Sequence, residues 1–325
     1  MSLATLTHAQ LAPWVAQARS LTSGGRLPDY IPQLAHASAQ TLAIQVQTTG
    51  GQRIVAGDSA QPFTLMSVVK PFLLLFALEQ WGEAMVFRRV GTQPSDQPFH
   101  SVAQLSLDQG FPRNPMINSG AIALTAFLSG TSGESRCEML RQWLNARAGS
   151  QLVLDEKMLH SVRSLSNETN RAIARALVEA KHLDQMEMAI DTYNHICCLS
   201  GTIADLAALG LLLVSNPVGA RSSVSATRNF NENAPQEASA GIAARHRHIV
   251  NALMLTCGLY EDSGAFAVRV GVPIKSGVSG ALLAIVPRQG AIACYSPTID
   301  PTGTSVAGLF LVESLVQALD LSIFS

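Results

Sequence analysis

Ser67 and Lys70 stand three apart in the run Ser67-Val68-Val69-Lys70-Pro71. On a helix, residues at that spacing face the same way, so the serine hydroxyl and the lysine amine can meet. A lysine with a lowered pKa can take the proton that a serine does not surrender unaided at neutral pH. The pair would then be a nucleophile and its base. Pro71 suits a helix start, where the first N–H groups lack intrahelical partners and could hold an oxyanion. Proline also disfavours the α conformation just before it, so the helix should not run far upstream of Lys70. Alone, the spacing is common, and a capping serine beside a solvated lysine explains it as well.

A second element lies far downstream, Lys275-Ser276-Gly277, between strand-like runs. Its use would be an edge strand opposite the serine, lending a backbone N–H to the oxyanion hole. An S-x-x-K followed by K-[ST]-G is the pairing of penicillin-recognising serine enzymes, which usually add S-D-N. No clean S-D-N lies between the two here. The conjunction points to serine acyl transfer.

Both motifs need elements to position them. Thr41 to Thr48 and Gln52 to Asp58, joined at Gly50-Gly51, read as a hairpin. Helical patterns cover about 68–80, 117–128, 134–146, 170–181 and 202–214, and a last apolar helix covers about 305–321. Strand signals return in AFAVRVGV (265–272), GALLAIVP (280–287) and GAIACYSP (290–297). The expected fold is α+β: an antiparallel five-stranded sheet with flanking helices, plus an inserted all-α block. Residues 1–75 and 246–325 would form the sheet domain, and 76–245 a mainly helical domain with a polar insertion at 217–245.

Composition narrows the function classes. Only 14% of the 325 residues are charged and the net charge is −1, so the electrostatic footprint of nucleic-acid binding is missing. The apolar runs are too short to span a bilayer, and the start has no basic n-region of a secretory signal. Five cysteines without C-x-x-C spacing fit buried reduced thiols in a cytoplasmic protein. His246-Arg247-His248 lacks further ligands nearby, so solvated histidines are the default and no metal or cofactor is expected. Trp14, Trp81 and Trp143 read as core anchors, and His195 as a packed histidine.

Longer strings carry a resemblance. DYIPQLA (29–35), SVVKPF (67–72), NPMINSGAIAL (114–124), DTYNHICCLSGTIADLAALG (191–210) and CGLYEDSGAFAVRVGVPIKSGVSGALLAIVP (257–287) resemble the serine-dependent glutaminase family. They occur in order across most of the chain. The resemblance implies a β-lactamase/transpeptidase-like fold and hydrolysis of L-glutamine to glutamate and ammonia through a serine ester, without cofactor. It implies Ser67 as nucleophile, Lys70 as its base and Tyr260 as proton donor to the ammonia. The amides of Ser67 and Val278 would form the oxyanion hole, and Tyr30, Asn118, Asn170 and Tyr193 would bind the substrate. A homodimer or homotetramer is implied as well.

One departure bears on the substrate. Similar glutaminases carry a glutamate seven residues before the asparagine matched by Asn170, where this chain has Arg163. Glu168 is the nearest carboxylate, and serves only if the local backbone is shortened. A cation there would repel an α-ammonium. Hydrolysis of another small amide, or a non-catalytic glutamine-binding role, therefore stands beside the glutaminase reading.

Overall fold

The computed structural model describes residues 2–95, 97–214 and 241–325. Most of the expected polar insertion at 217–245 lies outside the described residues. Its last two residues open a helix.

Helix α1 (His8–Leu21) begins at a capping box between Thr7 and Gln10, and the short α2 (Pro32–Ala35) has proline in its first turn. The hairpin follows as β1 (Ala43–Thr48) and β2 (Arg53–Gly57), with Val46 opposite Ile54. Strand β3 (Phe63–Thr64) leads into a 3-10 turn, Met66–Val69, and then α3 (Lys70–Val86). The middle of the chain holds α4 (Val102–Leu107), α5 (Asn118–Leu124) and α6 (Gly133–Ala148). After β4 (Val153–Leu154) come α7 (Glu156–Arg163), α8 (Glu168–Glu179) and α9 (Met186–Cys197). Strand β5 (Leu199–Gly201) precedes α10 (Ile203–Leu211). The chain ends with α11 (Ala244–Cys257), α12 (Ser263–Arg269), β6 (Ile274–Ser276), β7 (Ala281–Val286), β8 (Gly290–Tyr295) and α13 (Val306–Ala318).

The main sheet is antiparallel with order β2-β1-β8-β7-β6, as expected, which leaves β6 and its Lys275 on an edge. Alternate residues divide its faces. Ile44, Val46, Leu282, Ala284, Ile292 and Cys294 join the core under α1 and α13. Ala43, Leu283, Ile285, Ala291 and Ala293 join the larger core shared with α3, α9 and α10. Each fully buried Val, Leu or Ile contributes about 1.5–3 kcal/mol, so a sheet covered on both faces is a firm platform for the edge strand.

Two features differ from the sequence expectation. The run AFAVRVGV is not a strand: residues 263–269 form α12, and the edge strand starts only at Ile274. Alternation would bury Val268 with Phe266 and Val270, yet Val268 is 92% exposed while its two neighbours are buried. Helical geometry points those residues to different sides. The second feature is a small sheet of order β3-β5-β4 inside the helical region. Strands of two or three residues carry no period to detect. This sheet matters because Leu65 N–H donates to Leu199 O at 2.7 Å, pinning the entry to the Ser67 turn.

Candidate active site

Ser67 and Lys70 are brought together by a turn tighter than an α-helix. Residues 66–69 form a 3-10 turn, whose three residues per turn stack positions i and i+3 directly. Lys70 N–H donates to Ser67 O, and the α-helix then continues with Pro71 in its first turn. Met66, the residue before Ser67, has φ +46°. A non-glycine residue held in that region costs about 1–3 kcal/mol, offset by the surrounding packing.

Lys70 is completely buried. Its Nζ donates to Met116 O at 3.1 Å and Asn118 Oδ1 at 2.8 Å. The rings of Phe99, Tyr193 and Tyr260 surround it, with centroids 5.8–5.9 Å away. Burial brings its pKa down from 10.5 to about 7. A lysine in this state can hold or release a proton at neutral pH, which is what activation of Ser67 requires.

The opposite wall comes from the C-terminal segment. Tyr260 also has positive φ, +57°, at the head of a 3-10 turn after α11. Its hydroxyl lies beside the Ser67 hydroxyl, without a hydrogen bond of good geometry. Burial pushes the phenol well above its ordinary range, so it stays protonated as a donor. Lys275 on β6 is completely buried, donates to Ser276 O at 2.8 Å and sits 4.2 Å from the Tyr260 ring centroid. Burial first, and the Lys70 charge second, hold it well below the usual lysine range.

Two glycines allow this convergence. A Cβ on Gly277 would lie 2.7 Å from Leu65 O and 3.2 Å from Val68 Cγ2, so the glycine of Lys-Ser-Gly lets β6 approach the Ser67 turn. A Cβ on Gly258 would lie 1.8 Å from Ile274 O, so that glycine seats the end of α11, and Tyr260 after it, against the same strand. Val278 follows directly, and among the described residues no backbone carbonyl takes up its amide.

The helical side supplies amides. Asn118 opens α5, with its N–H donating to Phe99 O at 2.9 Å. Its Oδ1 also accepts from Tyr193 Oη at 3.0 Å, and its Nδ2 donates to Asn170 Oδ1 at 3.0 Å. Tyr30 is 53% exposed, close enough to Tyr193 and Tyr260 to bear on them electrostatically. The structure thus gathers Ser67, Lys70, Tyr260, Asn118, Asn170 and Tyr193, with Tyr30 beside them.

Glu168 is not gathered in. It is the exposed first residue of α8, and its side chain has no hydrogen-bond partner among the described residues. Nor does Arg163 confront the amides. Its guanidinium donates to Asp191 Oδ1 at 2.6 Å and lies 3.4 Å from His195 Nε2. At 100° per residue, Asp191 and His195 share a face of α9 that points well away from Tyr193.

Other residues of the site gave weaker signals. Phe99, whose ring centroid is 4.7 Å from that of Tyr260, sits in a loop with no motif. Asn167 and Asn194 extend the amide cluster. Cys197, one helical turn beyond Tyr193, packs against its hydroxyl, and burial pushes the thiol up to about 11. All five cysteines are buried free thiols. His246 is not solvated: its Nδ1 lies 2.6 Å from Glu79 Oε1 in a partly buried contact.

Comparison with known proteins gives the family. The Glutaminase family model matches residues 25–324. A glutaminase of Synechocystis sp. is 41% identical over 315 residues, covering 96% of this chain and 89% of its own. A glutaminase of Klebsiella pneumoniae is 35% identical over 322 residues, 99% of each chain. Among solved structures, the Bacillus subtilis glutaminase YbgJ in covalent complex with 5-oxo-L-norleucine is 30% identical with a TM-score of 0.81, over 97% of this chain and 99% of that one. The chain shares their β-lactamase-like fold, and it belongs to the glutaminase family.

Proposed function

We propose that the protein hydrolyses L-glutamine to L-glutamate and ammonia through an ester on Ser67, in the cleft between a sheet unit (1–75 and 246–325) and a helical unit (76–245). One observation carries the reading: Lys70, fully buried with a pKa brought to about 7, stacks one 3-10 turn from a serine. Neutral Lys70 takes the Ser67 proton as Oγ attacks the side-chain carbonyl. The amides of Ser67 and Val278 receive the oxyanion. The intermediate collapses as Tyr260, reprotonated from Lys70, gives a proton to the nitrogen and ammonia leaves. Water then attacks the ester by the same route in reverse, returning the proton to Ser67 and releasing glutamate.

The chemistry of the Bacillus relative supports the substrate. 5-Oxo-L-norleucine has a ketone carbonyl at the carbon where glutamine has its carboxamide, and the relative bonds covalently to it. In this chain Asn118, Asn170, Tyr193 and Tyr30 would hold the amino-acid end. Glu168, two residues before Asn170, is the carboxylate offered to the ammonium, and it would have to swing in from its exposed place at the start of α8. The reading includes a cytoplasmic homodimer or homotetramer, testable by sedimentation.

The deciding assay incubates the protein with L-glutamine and measures glutamate and ammonia, with Ser67→Ala as control. Equal release, lost in the variant, is the expected result; no release from folded protein would sink the reading. A second reading, a small amide lacking a free ammonium, has one observation in its favour: the amide cluster contains no carboxylate. Equal turnover of free and N-acylated glutamine would favour it.

A further inference from the structure

We propose that Asn167 and Asn194 are positioning residues for this site, ending a one-way relay of side-chain amides that holds Asn118 with its oxygen towards Lys70. The inference rests on the reading of Ser67 and Lys70 as nucleophile and base.

The relay is continuous. Lys70 Nζ donates to Asn118 Oδ1 at 2.8 Å, and Asn118 Nδ2 to Asn170 Oδ1 at 3.0 Å. Asn170 Nδ2 donates to Asn167 Oδ1 at 3.0 Å, and Asn167 Nδ2 to Asn194 Oδ1 at 3.3 Å. Every oxygen faces back towards the lysine and every NH2 faces away. An amide can turn over, exchanging oxygen for NH2 at the same place. Turning any one here sets NH2 against NH2 on one side and oxygen against oxygen on the other, so the members turn together or not at all. The far end anchors the relay. Asn167 is held at φ +55° immediately before α8, and Asn194 is a buried residue of α9, so the terminal pair is fixed by two different helices.

The sense of the relay reaches the base. With oxygen towards it, Asn118 favours the ammonium form of Lys70. Turned over, Asn118 would offer NH2, which only the free amine can accept. The other groups facing Lys70 are the Tyr193 hydroxyl and Cys197 thiol from α9, Tyr260 from the turn after α11, and Lys275 from β6. Asp191 and His195, with the Arg163 guanidinium from α7 against them, lie on the face of α9 beside Asn194. None of these reverses when Asn194 is changed, so two opposite substitutions isolate the relay.

Asn194→Leu removes the terminal acceptor and frees the relay to turn. Asn194→Asp keeps an acceptor, cannot turn, and adds negative charge. The readout is the rate at which a fluorophosphonate labels Ser67, followed by intact mass across pH 5–9, alongside glutamine hydrolysis and melting temperature. The acidic limb should move down in Asn194→Leu and up in Asn194→Asp, each by about half a pH unit or more. Asn167→Ala should follow Asn194→Leu, with kcat/KM for glutamine lowered about tenfold at pH 7 by the two lost, partly buried hydrogen bonds. Limbs that coincide with the wild type, or move the same way in both Asn194 variants, overturn the relay whatever happens to stability. A wild type that resists labelling overturns the Ser67–Lys70 reading, and this inference with it. Labelling without glutamine turnover would overturn only the substrate, leaving the relay to be judged by its limbs.

Discussion

The two walls of the site are built on different principles. The wall around Ser67, Lys70, Tyr260 and Lys275 combines two residues at positive φ with two fully buried lysines whose charged forms are disfavoured. The wall of Asn118, Asn170, Asn167, Asn194 and Tyr193 carries neutral amides and a phenol, already joined to one another. Desolvated lysines, and a methionine and a tyrosine at positive φ, are concentrated where bonds would be made and broken. The amide wall has one positive-φ residue, Asn167, of a type that adopts that region readily, and its amides are joined by hydrogen bonds. Damage to the first wall should therefore fall on kcat, and damage to the second on KM.

The largest effects test the first wall. Ser67→Ala should lower glutamine hydrolysis about 10⁴-fold or more, since loss of a nucleophile disables the catalytic unit. Lys70→Met should cost about 10²–10⁴-fold, the range for a general base, and should abolish the acidic limb expected near pH 7 in the wild type. Stability gives a second sign. The folded pKa of Lys70 is depressed, so between about 7 and 10.4 the unfolded chain binds a proton that the folded one does not. Over that window this group's contribution to stability rises with pH; below about 7 it is level at its lowest. Melting temperature measured from pH 7 to 10 should climb more in wild type than in Lys70→Met. Identical slopes would mean that Lys70 is not desolvated in the folded protein.

A middle-sized effect tests the junction between edge strand and nucleophile. In Gly277→Ala the new methyl would meet Leu65 O and Val68 Cγ2, forcing β6 away from the Ser67 turn. A displacement near 1 Å can cost about 10²-fold, so kcat/KM should fall by that order while melting shifts by only a few degrees. A variant with full activity would show that β6 does not complete the site.

The walls also differ in how far they could be read from sequence. The wall around Ser67 is written in local strings, Ser67-x-x-Lys70 and Lys275-Ser276-Gly277, because here the serine and the lysine share one turn and an edge strand needs glycine where backbones touch. The hairpin and the β7–β8 pair were legible for a similar reason, having apolar runs bounded by glycine and proline. The amide wall has no such string. Asn118, Asn167, Asn170 and Asn194 come from three helices, and a lone asparagine resembles a turn or cap residue until tertiary contacts select it. Family resemblance supplied Asn118 and Asn170 but not Asn167 or Asn194. The run 265–272 misled for a different cause: a short apolar stretch is ambiguous between helix and strand, and the Tyr260 turn leading into α12 settled it.

The smallest effect concerns the residue that looked most disruptive in sequence. Arg163 stands where a cation would repel an α-ammonium, yet its guanidinium is bound to Asp191, with His195 close by, on the face of α9 away from Tyr193. The pair is exposed, with 48% and 37% of the two side chains accessible, and such pairs contribute at most about 1 kcal/mol. Arg163→Ala should therefore change the KM for glutamine less than about threefold and leave kcat unchanged. A fall in KM of tenfold or more would show that the cation does oppose the substrate's ammonium, and would break the separation between the α9 face carrying the ion pair and the one carrying Tyr193. A tenfold rise would instead give Arg163 a contact with the substrate carboxylate. In either case a charged side chain would join the otherwise neutral wall of amides and phenol.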